Sequence, residues 1–596
     1  MTLERVVDAI DGNYWDTNSH LRFLIERIVD KNIIDEAVLT LDGVGRDSAR
    51  KIAPYASLSD LEGCRIAEVI EQGTGKTYNN VIFPEHTGRI LKYVREQGLF
   101  GVTLPEKYGG RGLPHLVSGA IMTMMSQADP SLFTTPVVSD GSAEVLLHFA
   151  PDHIKDKYIP LLCSMEEDGF TGAMLLTESN AGSDVGAAKL SAVKGEGDYY
   201  LLTGQKIFIT NPGADVNIVL ARQEGAKPGT AGLSLFFVPK YVDDKRNDYN
   251  VLRLEEKLGI HSSPTGVVEF NSAKGYLLGD EGAGFKQMLY LMNRSRLAIG
   301  CQGLGIAERS YQESLKYAGE RKQFRIELEK MPLMQEQLVD LRVEIEAASS
   351  MVFNAYKFLD EFFRLDFLKK ELQKEDKDLD AKQALEYTKY EKLVRILTPL
   401  CKYRGSELGV SASYQAVNHF GGNGFTKEYP VEKLLRDSII GPIYEGTNDI
   451  QALDVVTRAI AKEGALEYLL LEIRENLAKV TEKKLNRSFR LVSGAVRNIN
   501  WYMGAIAKSA NPESVAQSQS RKLSEYIFRT YEASLMLEEA QHLIDTKQDW
   551  RKAVTAMIYA DKYFSGKVIT TDGLSQTYFN NIAHNQRLDA LTHSKQ

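Results

Sequence analysis

The spacing of hydrophobic and polar residues changes along this chain, from helix-like to strand-like and back. These changes divide the sequence into blocks. Apolar residues at helical spacing lie between Leu21 and Leu39 and again between Glu85 and Leu99. Residues 115–168 also have a helical pattern, interrupted by prolines. This part of the chain is predicted to form an N-terminal extension over residues 1–80 and a helical domain over residues 81–170.

A second block has the pattern of β-strands. Short runs rich in β-branched and aromatic residues are separated by Gly, Pro, Asn and Asp; they read YYLLTGQKIFIT, VNIVLAR, LSLFFVP and TGVVEF. Because the runs are short and close together, they predict one compact β domain over residues 171–278.

The helical period then returns and persists to the end. It predicts a helical block over residues 279–462 and an additional C-terminal helical domain over residues 463–596. In the additional domain one helical stripe comprises Leu466, Leu469, Leu470, Ile473 and Leu477. The dense mixed-charge run at residues 369–382 could be a docking surface, but it is more typical of a solvated helix end or loop.

The composition of the chain argues against several classes of protein. The chain is 43% hydrophobic and 26% charged, with a net charge of −8, so it has no overall basic field for nucleic acid or an anionic membrane. Its four cysteines show no C-x-x-C spacing, which disfavours a zinc site and suits a reducing compartment. We see no signal peptide and no run of roughly 20 apolar residues, so a cytoplasmic protein without a membrane partner is expected.

Two segments of the β block carry candidate ligand contacts. In TGAMLLTESNAGSDVGAAK (residues 171–189), an apolar run leads into Thr177 and a turn with Ser183, where small residues allow a ligand to approach the backbone. In TGQKIFITNPG (residues 203–213), a strand could stack Phe208 on a flat cofactor while Thr210 bonds to its edge. Each segment taken alone is as typical of an ordinary loop or core strand.

A third segment carries a candidate base. Residues 419–456 contain the glycine-rich text HFGGNGF, a helical stretch near Val431–Asp437, and a tight turn at Tyr444–Glu445–Gly446–Thr447. Ile443, Tyr444 and Ile450 predict an apolar setting, and burial would raise the pKa of Glu445 towards neutrality, as a general base requires.

In this order and spacing, the segments resemble the acyl-CoA dehydrogenase family over roughly residues 85–460. Five stretches carry the resemblance: GLFGVTLPEKYGGRGLP, LLTESNAGSDV, GQKIFITN, GERKQF, and FGGNGF through IYEGTNDIQ. The resemblance implies a mainly α fold with a central β-barrel domain, preceded by helices and followed by a four-helix bundle. It also implies FAD between these domains and across a dimer interface.

The resemblance further implies roles for individual residues. Glu445 would be the catalytic base. The residues expected to contact FAD are Met174, Leu176, Thr177, Ser183, Phe208, Ile209, Thr210, Arg321, Gln323, Phe324, Gly421, Gly422 and Thr447. The residues expected to contact the acyl-CoA are Ser183, Asn293, Arg296, Tyr444 and Gly446.

The implied reaction is the dehydrogenation of an acyl-CoA thioester to a trans-2-enoyl-CoA, with electrons passing to an electron-transferring flavoprotein. Arg321 and Gln323 would reach the FAD of the other subunit, and Arg296 would lie close to Glu445 and CoA. The extra C-terminal domain makes a homodimer the expected assembly. Four positions depart from the family pattern. Ser179 stands where proline is usual, Asn418 where glutamine is common, Arg325 where glycine is common, and Asp449 where an uncharged polar residue is common.

Three other functions stay open. An acyl-CoA oxidase would use the same glutamate but would be reoxidised by oxygen. A DNA-associated flavoprotein relative would carry a basic C-terminal surface, and an inactive scaffold would lack flavin. The acyl group itself is not predicted, because it depends on how helices pack around the pocket.

Overall fold

The computed structural model describes residues 12–71, 75–566 and 578–591, apart from the side chains of Tyr290, Leu291 and Asn293. It contains two compact units. The first includes Gly43–Ala298, and the second comprises Tyr14–Asp42 and the chain from Ile299 onward. None of the described helices has both the length and the apolar composition that a membrane crossing requires.

The N-terminal segment begins with short helices: α1 (Tyr14–Thr17), α2 (Ser19–Ile28) and α3 (Ile34–Asp47). The continuous helical pattern predicted from Leu21 to Leu39 is therefore interrupted. The N–H of Asn32 donates to Asp30 Oδ1 at 2.8 Å. Such a local side-chain bond competes with helical hydrogen bonding, which explains the break.

The first unit contains most of the predicted N-terminal helices. They are α4 (Ala56–Glu62), α5 (Glu85–Glu96), α6 (His115–Ala128), α7 (Thr134–Phe149) and α8 (Asp152–Cys163), so the helical patterns after Glu85 are confirmed.

An antiparallel hairpin of β1 (Arg65–Ile70) and β2 (Thr77–Ile82) precedes α5. The hydrophobic pattern of the sequence did not predict this hairpin, because β1 is exposed along most of its length and has no buried face to impose an alternating pattern.

The β block contains the predicted strand runs, which are confirmed. The bounds are β3 (Gly172–Leu175), β4 (Ser191–Lys194), β5 (Tyr200–Thr210), β6 (Val216–Gln223), β7 (Leu233–Pro239), β8 (Tyr241–Val242), β9 (Lys245–Arg246), β10 (Tyr249–Leu254) and β11 (Thr265–Leu278). Strands β11, β5, β4 and β6 are consecutive neighbours, and β7 pairs with both β6 and β11, which closes the sheet into a barrel.

Both faces of β6 are buried, and they belong to different cores. Ile218 and Leu220 join a cluster with residues of α7 and α8, whereas Val219 and Ala221 face the barrel interior with Phe236. Alternate side chains of one strand therefore join the barrel to the helices packed on it.

The second unit is a helical bundle. It contains the latter part of α9 (Gly284–Glu320), a hairpin of β12 (Lys322–Gln323) and β13 (Ile326–Glu327), and the long helices α10 (Pro332–Lys374) and α11 (Ala381–Phe420). Then come α12 (Val431–Ser438), α13 (Asn448–Asp454) and a π-helical turn over Val455–Ile460.

Further helices follow in the same unit: α14 (Ala465–Ala478), α15 (Asn486–Ala507), α16 (Pro512–Lys547), α17 (Arg551–Phe564) and α18 (Phe579–Ala583). The predicted apolar stripe on α14 is buried over its full length. It packs the additional helices onto the bundle.

The charged run at residues 369–382 comprises the last residues of α10, the connection to α11 and the first residues of α11. Helix α10 ends at Lys374, and Asp380 caps α11 in a reciprocal capping box with Gln383. Most side chains between these helices are exposed. The predicted solvated helix end and loop are therefore confirmed.

Candidate functional site

A tight turn joins α12 to α13 and carries the candidate base. The N–H groups of Ile443 and Tyr444 donate to Ile440 O at 2.9 and 3.1 Å, and the Asn448 N–H donates to Pro442 O at 2.9 Å. These bonds fold the chain back on itself just before α13 begins.

Glu445 sits in the left-handed region of backbone space, with φ 56°, followed by Gly446 at φ 83°. This conformation is unfavourable for a residue with a Cβ atom, so its surroundings must hold it. The buried Gln451 does so, because its Nε2 donates to Glu445 O at 3.2 Å and to Gly446 O at 3.1 Å. Thr447 Oγ1 accepts the Ile450 N–H at 3.3 Å and caps α13. The helix after the turn thus fixes the backbone of the glutamate.

Tyr444 forms one wall of the turn. Its hydroxyl donates to Oε1 of the buried Gln302 on α9. Burial, together with the negative charge of Glu445, raises the pKa of Tyr444, so the phenol remains a neutral hydrogen-bond donor. The predicted apolar setting is only partly correct: Ile443 is 55% exposed, while Ile450 is half-buried.

On the barrel, Phe208 occupies a β-bulge. Gly266 pairs with Ile209 and Val268 pairs with Lys206, so two residues of β5 oppose one residue of β11. Phe208 has φ 57° and is 62% exposed. The bulge turns this aromatic ring outward from the barrel, where it can stack on a flat ligand.

A buried ion pair holds the segment at residues 176–178 against β5. Lys206 is fully buried, and its Nζ donates to Leu176 O and to Glu178 Oε1, both at 2.8 Å. Ile207 N–H donates to Thr177 O at 2.9 Å. These bonds bring Thr177 beside the strand that carries Phe208.

The same ion pair changes the titration of both partners. Burial lowers the pKa of Lys206 to about 8, although Glu178 opposes the shift. Burial disfavours the charge on Glu178, but Lys206 and two backbone N–H groups outweigh it and lower the pKa of this carboxyl. Both groups therefore carry charge near neutral pH.

The other predicted barrel residues differ in accessibility. Ser183 is exposed, and Met174, Leu176, Thr177 and Thr210 are half-buried. Ile209 is 2% exposed and lies in the barrel core, so its side chain cannot line a ligand at the surface; only its backbone could.

The predicted residues Arg321, Gln323 and Phe324 lie on the exposed β12–β13 hairpin. Phe324 and Arg325 form its turn, with φ 50° and 69°, and Phe324 is 90% exposed. A left-handed turn explains why glycine is common at position 325 in this family pattern.

The glycine-rich turn Gly421–Phe425 follows α11 directly. A Cβ added at Gly421 or Gly422 would meet no atom within 4 Å, so both backbones border open space. Tyr317 stacks on Phe420 with ring centroids 4.0 Å apart and accepts a hydrogen bond from Asn423 Nδ2 at 2.9 Å. Because Arg321 N–H donates to Tyr317 O at 2.8 Å, this tyrosine joins the glycine turn to the hairpin.

Two predicted acyl-CoA contacts lie on α9. Arg296 is 7% exposed, so it is not an ordinary helix-surface charge. The Asn293 side chain lies outside the described residues. Arg296 belongs to the first unit and Glu445 to the second, so their expected proximity stays a prediction.

Three residues that hold the segments described above in place were not predicted from the sequence: Lys206, Tyr317 and Gln451. Lys206 is a charged residue in a predicted strand whose end is otherwise apolar. A charge in such a setting indicates that it has a buried partner. For Tyr317 and Gln451 the only signal is helical spacing, since each lies four residues from a predicted site residue.

Models of one protein family match most of the chain. The "Acyl-CoA dehydrogenase, N-terminal domain" matches residues 66–166, the "middle domain" residues 173–273, and the "C-terminal domain" residues 282–363 and 378–460. The α10–α11 connection and the helices after residue 460 lie outside these matches.

Individual proteins give the same result. The chain is 32% identical to 3-methylmercaptopropionyl-CoA dehydrogenase of Ruegeria pomeroyi over 451 residues, covering 72% of each chain. Butyryl-CoA dehydrogenase of Megasphaera elsdenii is 26% identical, with a TM-score of 0.59 over 74% of this chain and 100% of that chain. An acyl-CoA dehydrogenase of Bacillus anthracis, solved with FAD, is 23% identical, with a TM-score of 0.73 over 99% of this chain and 98% of that chain. This last likeness shows that the fold extends through the C-terminal helices.

Proposed function

The chain belongs to the acyl-CoA dehydrogenase family, and on that premise we propose that it converts an acyl-CoA thioester to a trans-2-enoyl-CoA with FAD as cofactor. The observation that carries the proposal is the turn at Glu445. A carboxylate is held there in a left-handed backbone by Gln451, beside the buried hydroxyl of Tyr444.

The residues expected to hold FAD suit a large, flat, anionic ligand. Phe208 presents an exposed ring from a bulge, and Thr177 lies beside its strand. Gly421 and Gly422 leave the backbone open to close approach, as an adenosine moiety requires. Arg321 supplies an exposed guanidinium, which pairs well with pyrophosphate.

Glu445 would act as the general base on the α-carbon. Its carboxylate accepts the α-proton, and its backbone N–H donates to the thioester oxygen, where negative charge accumulates. One such donor is worth about 3–4 kcal/mol in the transition state. FAD, when bound, supplies the acceptor for the hydride that leaves the β-carbon.

The remaining residues would bind and orient the thioester. Ser183 and Asn293 can hydrogen-bond to the acyl-CoA, and Tyr444 and Gly446 would border the reacting carbons. Arg296 would neutralise charge near CoA and Glu445. Because a base must lie within hydrogen-bond reach of the proton it removes, their task is to hold the α-carbon close to position 445.

We also propose a homodimer that passes its electrons to an electron-transferring flavoprotein. Two large aromatic side chains of the second unit support the dimer: Phe324 is 90% exposed and Phe425 is 88% exposed. Arg321 and Gln323 lie next to Phe324 and are exposed, so they would be available to the FAD of a second copy that covers this ring.

Turnover of the purified protein tests the function. A panel of straight-chain, branched, aromatic and thioether acyl-CoAs is supplied with ferrocenium as electron acceptor, and enoyl-CoA is measured. We expect at least one acyl-CoA to be converted. No conversion across the panel would contradict the proposal, and rapid reoxidation of the reduced protein by air would identify an oxidase instead.

A further inference from the structure

Helix α16 of the C-terminal region lies directly against the helix that follows the catalytic turn. It packs on α13 and on the π-helical turn Val455–Ile460. Ala452 on α13 and Val455 in the π-helical turn are fully buried, and Leu523 and Ile527 on α16 are buried as well. The helices after residue 460 thus support the backbone next to Glu445, although they lie outside the matched family domains.

One side chain of α16 reaches past this packed surface. Arg521 Nη1 lies 3.1 Å from Asp449 Oδ1, and its Nη2 lies 3.2 Å from Glu407 Oε1 on α11. Its Nε donates to the Tyr403 hydroxyl at 3.3 Å. A guanidinium has a rigid planar fork, so one arginine can hold α11 and the first turn of α13 at a fixed separation.

The contact continues inward to the turn through Asn448. Asn448 Nδ2 donates to the same Glu407 Oε1 at 2.9 Å, and Lys402 Nζ donates to Asn448 Oδ1 at 2.9 Å. Asn448 and Lys402 are buried, and Asn448 N–H donates to Pro442 O and so closes the turn. A continuous set of polar contacts therefore connects Arg521 to the residues around Glu445.

We propose that Arg521 is a positioning residue, through which the C-terminal region holds the catalytic turn in place by way of Asp449, Glu407 and Asn448. This inference rests on the proposed function of Glu445 as the base. Arg521 touches no reacting group; it acts by limiting the movement of the backbone that carries the carboxylate.

The expected effect of removing Arg521 follows from the solvent exposure of its ion pairs. Arg521, Asp449 and Glu407 are 53%, 66% and 42% exposed at their side chains, so each pair is screened by water. The loss of Arg521 is therefore expected to leave the fold intact and to loosen only the turn. Because base catalysis depends on close alignment, we expect kcat to fall about 3- to 10-fold while KM changes less than about twofold.

Hydrogen exchange and kinetics of the full-length, flavin-loaded protein test the proposal. Arg521→Gln and Asp449→Asn remove the contact from either side, and Arg490→Gln on α15 is the matched control at an exposed arginine. We expect both contact variants, but not the control, to show faster exchange at residues 444–451, the stated fall in kcat and an unchanged Tm. Arg521→Lys, which keeps a cation facing both Asp449 and Glu407, should exchange more slowly at these residues than Arg521→Gln.

Two outcomes would overturn the inference: exchange and kcat in Arg521→Gln equal to those of the control, or exchange in Arg521→Lys as fast as in Arg521→Gln. Failure of the proposed function gives a different pattern. A wild-type protein that turns over no acyl-CoA would contradict that function, while exchange at residues 444–451 would still decide whether Arg521 holds the turn.

Discussion

Glu445 occupies a backbone conformation that residues with a Cβ atom rarely adopt. Such a conformation costs about 1–3 kcal/mol, and it persists here because Gln451 and the cap at Thr447 fix the backbone that follows it. The sequence predicted the turn and its acid. It could not predict the left-handed geometry, because that depends on a glutamine whose role appears only in three dimensions.

The contribution of the buried ion pair can be tested by removing the charge of Lys206. Replacing it by methionine would leave the Glu178 carboxylate without its cation, which typically costs about 3–5 kcal/mol for a buried pair. We predict that Lys206→Met lowers the free energy of unfolding by that amount and releases flavin. Urea unfolding and visible absorbance of the purified protein measure both effects.

Lys189→Met is the control for that substitution, since its side chain is exposed in the same region. It should change stability by less than about 0.5 kcal/mol. A Lys206→Met protein as stable as this control, with its flavin retained, would show that the ion pair does not hold the barrel segment.

Two of the four departures from the family pattern, Arg325 and Asp449, can be compared in the structure. Arg325 lies in a left-handed turn, and this backbone conformation explains why glycine is more common than arginine at this position. Asp449 meets Arg521, which lies 72 residues later in the chain. A pairing at that separation leaves no local signal in the sequence.

Helices α9 and α11 cross at closely packed glycines. A Cβ at Gly303 would lie 2.0 Å from Gly405 O, and a Cβ at Gly405 would lie 2.5 Å from Gly300 O. Backbone cannot yield as a flexible side chain can. We predict that Gly303→Ala lowers the free energy of unfolding by about 1–3 kcal/mol, as overpacking usually does.

Gly504→Ala on α15 is the matched control, because its Cβ would meet no atom within 4 Å. There alanine should stabilise the helix by up to about 1 kcal/mol. Guanidinium unfolding of both variants provides the comparison. Equal stability of the two would contradict the close approach of α9 and α11.

The elements that the sequence predicted well are those with a buried face. The barrel strands and the α14 stripe alternate or repeat because one side packs on a core. The β1–β2 hairpin and the break before α3 lack this constraint. The hairpin is determined by cross-strand pairing, and the break by the bond between Asn32 and Asp30. Neither leaves a signal in the spacing of hydrophobic residues.

At the scale of the whole molecule, a buried ionic cluster joins the C-terminal region to the bundle. Glu344 on α10 accepts from Arg404 at 2.6 Å, from Arg529 on α16 at 2.6 Å and from Lys562 on α17 at 2.8 Å. Burial opposes its charge, but Arg529, Arg404 and Lys562 outweigh burial and hold the pKa of Glu344 well below its ordinary value. These residues are too far apart in the chain for their charges to predict the cluster.

Glu344→Gln would remove the carboxylate that three cations share, leaving Glu532 for the two arginines and Asp340 for Lys562. We predict a loss of about 3 kcal/mol in the free energy of unfolding near pH 7, the lower end for a broken buried pair, measured by denaturant titration. Glu361→Gln, at a carboxylate 37% exposed and paired with Arg364, should cost less than about 1 kcal/mol.

The same cluster gives a dependence on pH. A carboxyl whose pKa is lower in the folded protein stabilises it fully above the ordinary value of 4.5, and this contribution is lost as the pH falls towards the folded value. The stability difference between wild type and Glu344→Gln should therefore shrink below pH 4.5. A difference independent of pH would contradict the charged state of Glu344.

The proposed dimer is tested by sedimentation. We predict that the wild-type protein sediments as a dimer and that Phe425→Asp, at an 88% exposed ring, shifts it to monomer and weakens flavin binding. Covering a large apolar side chain is worth about 1.5–3 kcal/mol, and a carboxylate in its place adds a desolvation cost. Phe367→Asp, at a 67% exposed ring on α10, should leave the dimer intact. A Phe425→Asp protein that still sediments as the wild type does would exclude this surface.

Reduction of the flavin in a single turnover tests the role of Glu445 most directly. Wild-type protein and Glu445→Gln, both loaded with FAD, are mixed without oxygen with an acyl-CoA that the wild type converts, and visible absorbance is followed. The amide preserves shape but cannot take the α-proton, so the rate should fall about 10²- to 10⁴-fold while FAD stays bound. Reduction of the variant at close to the wild-type rate would show that another group is the base.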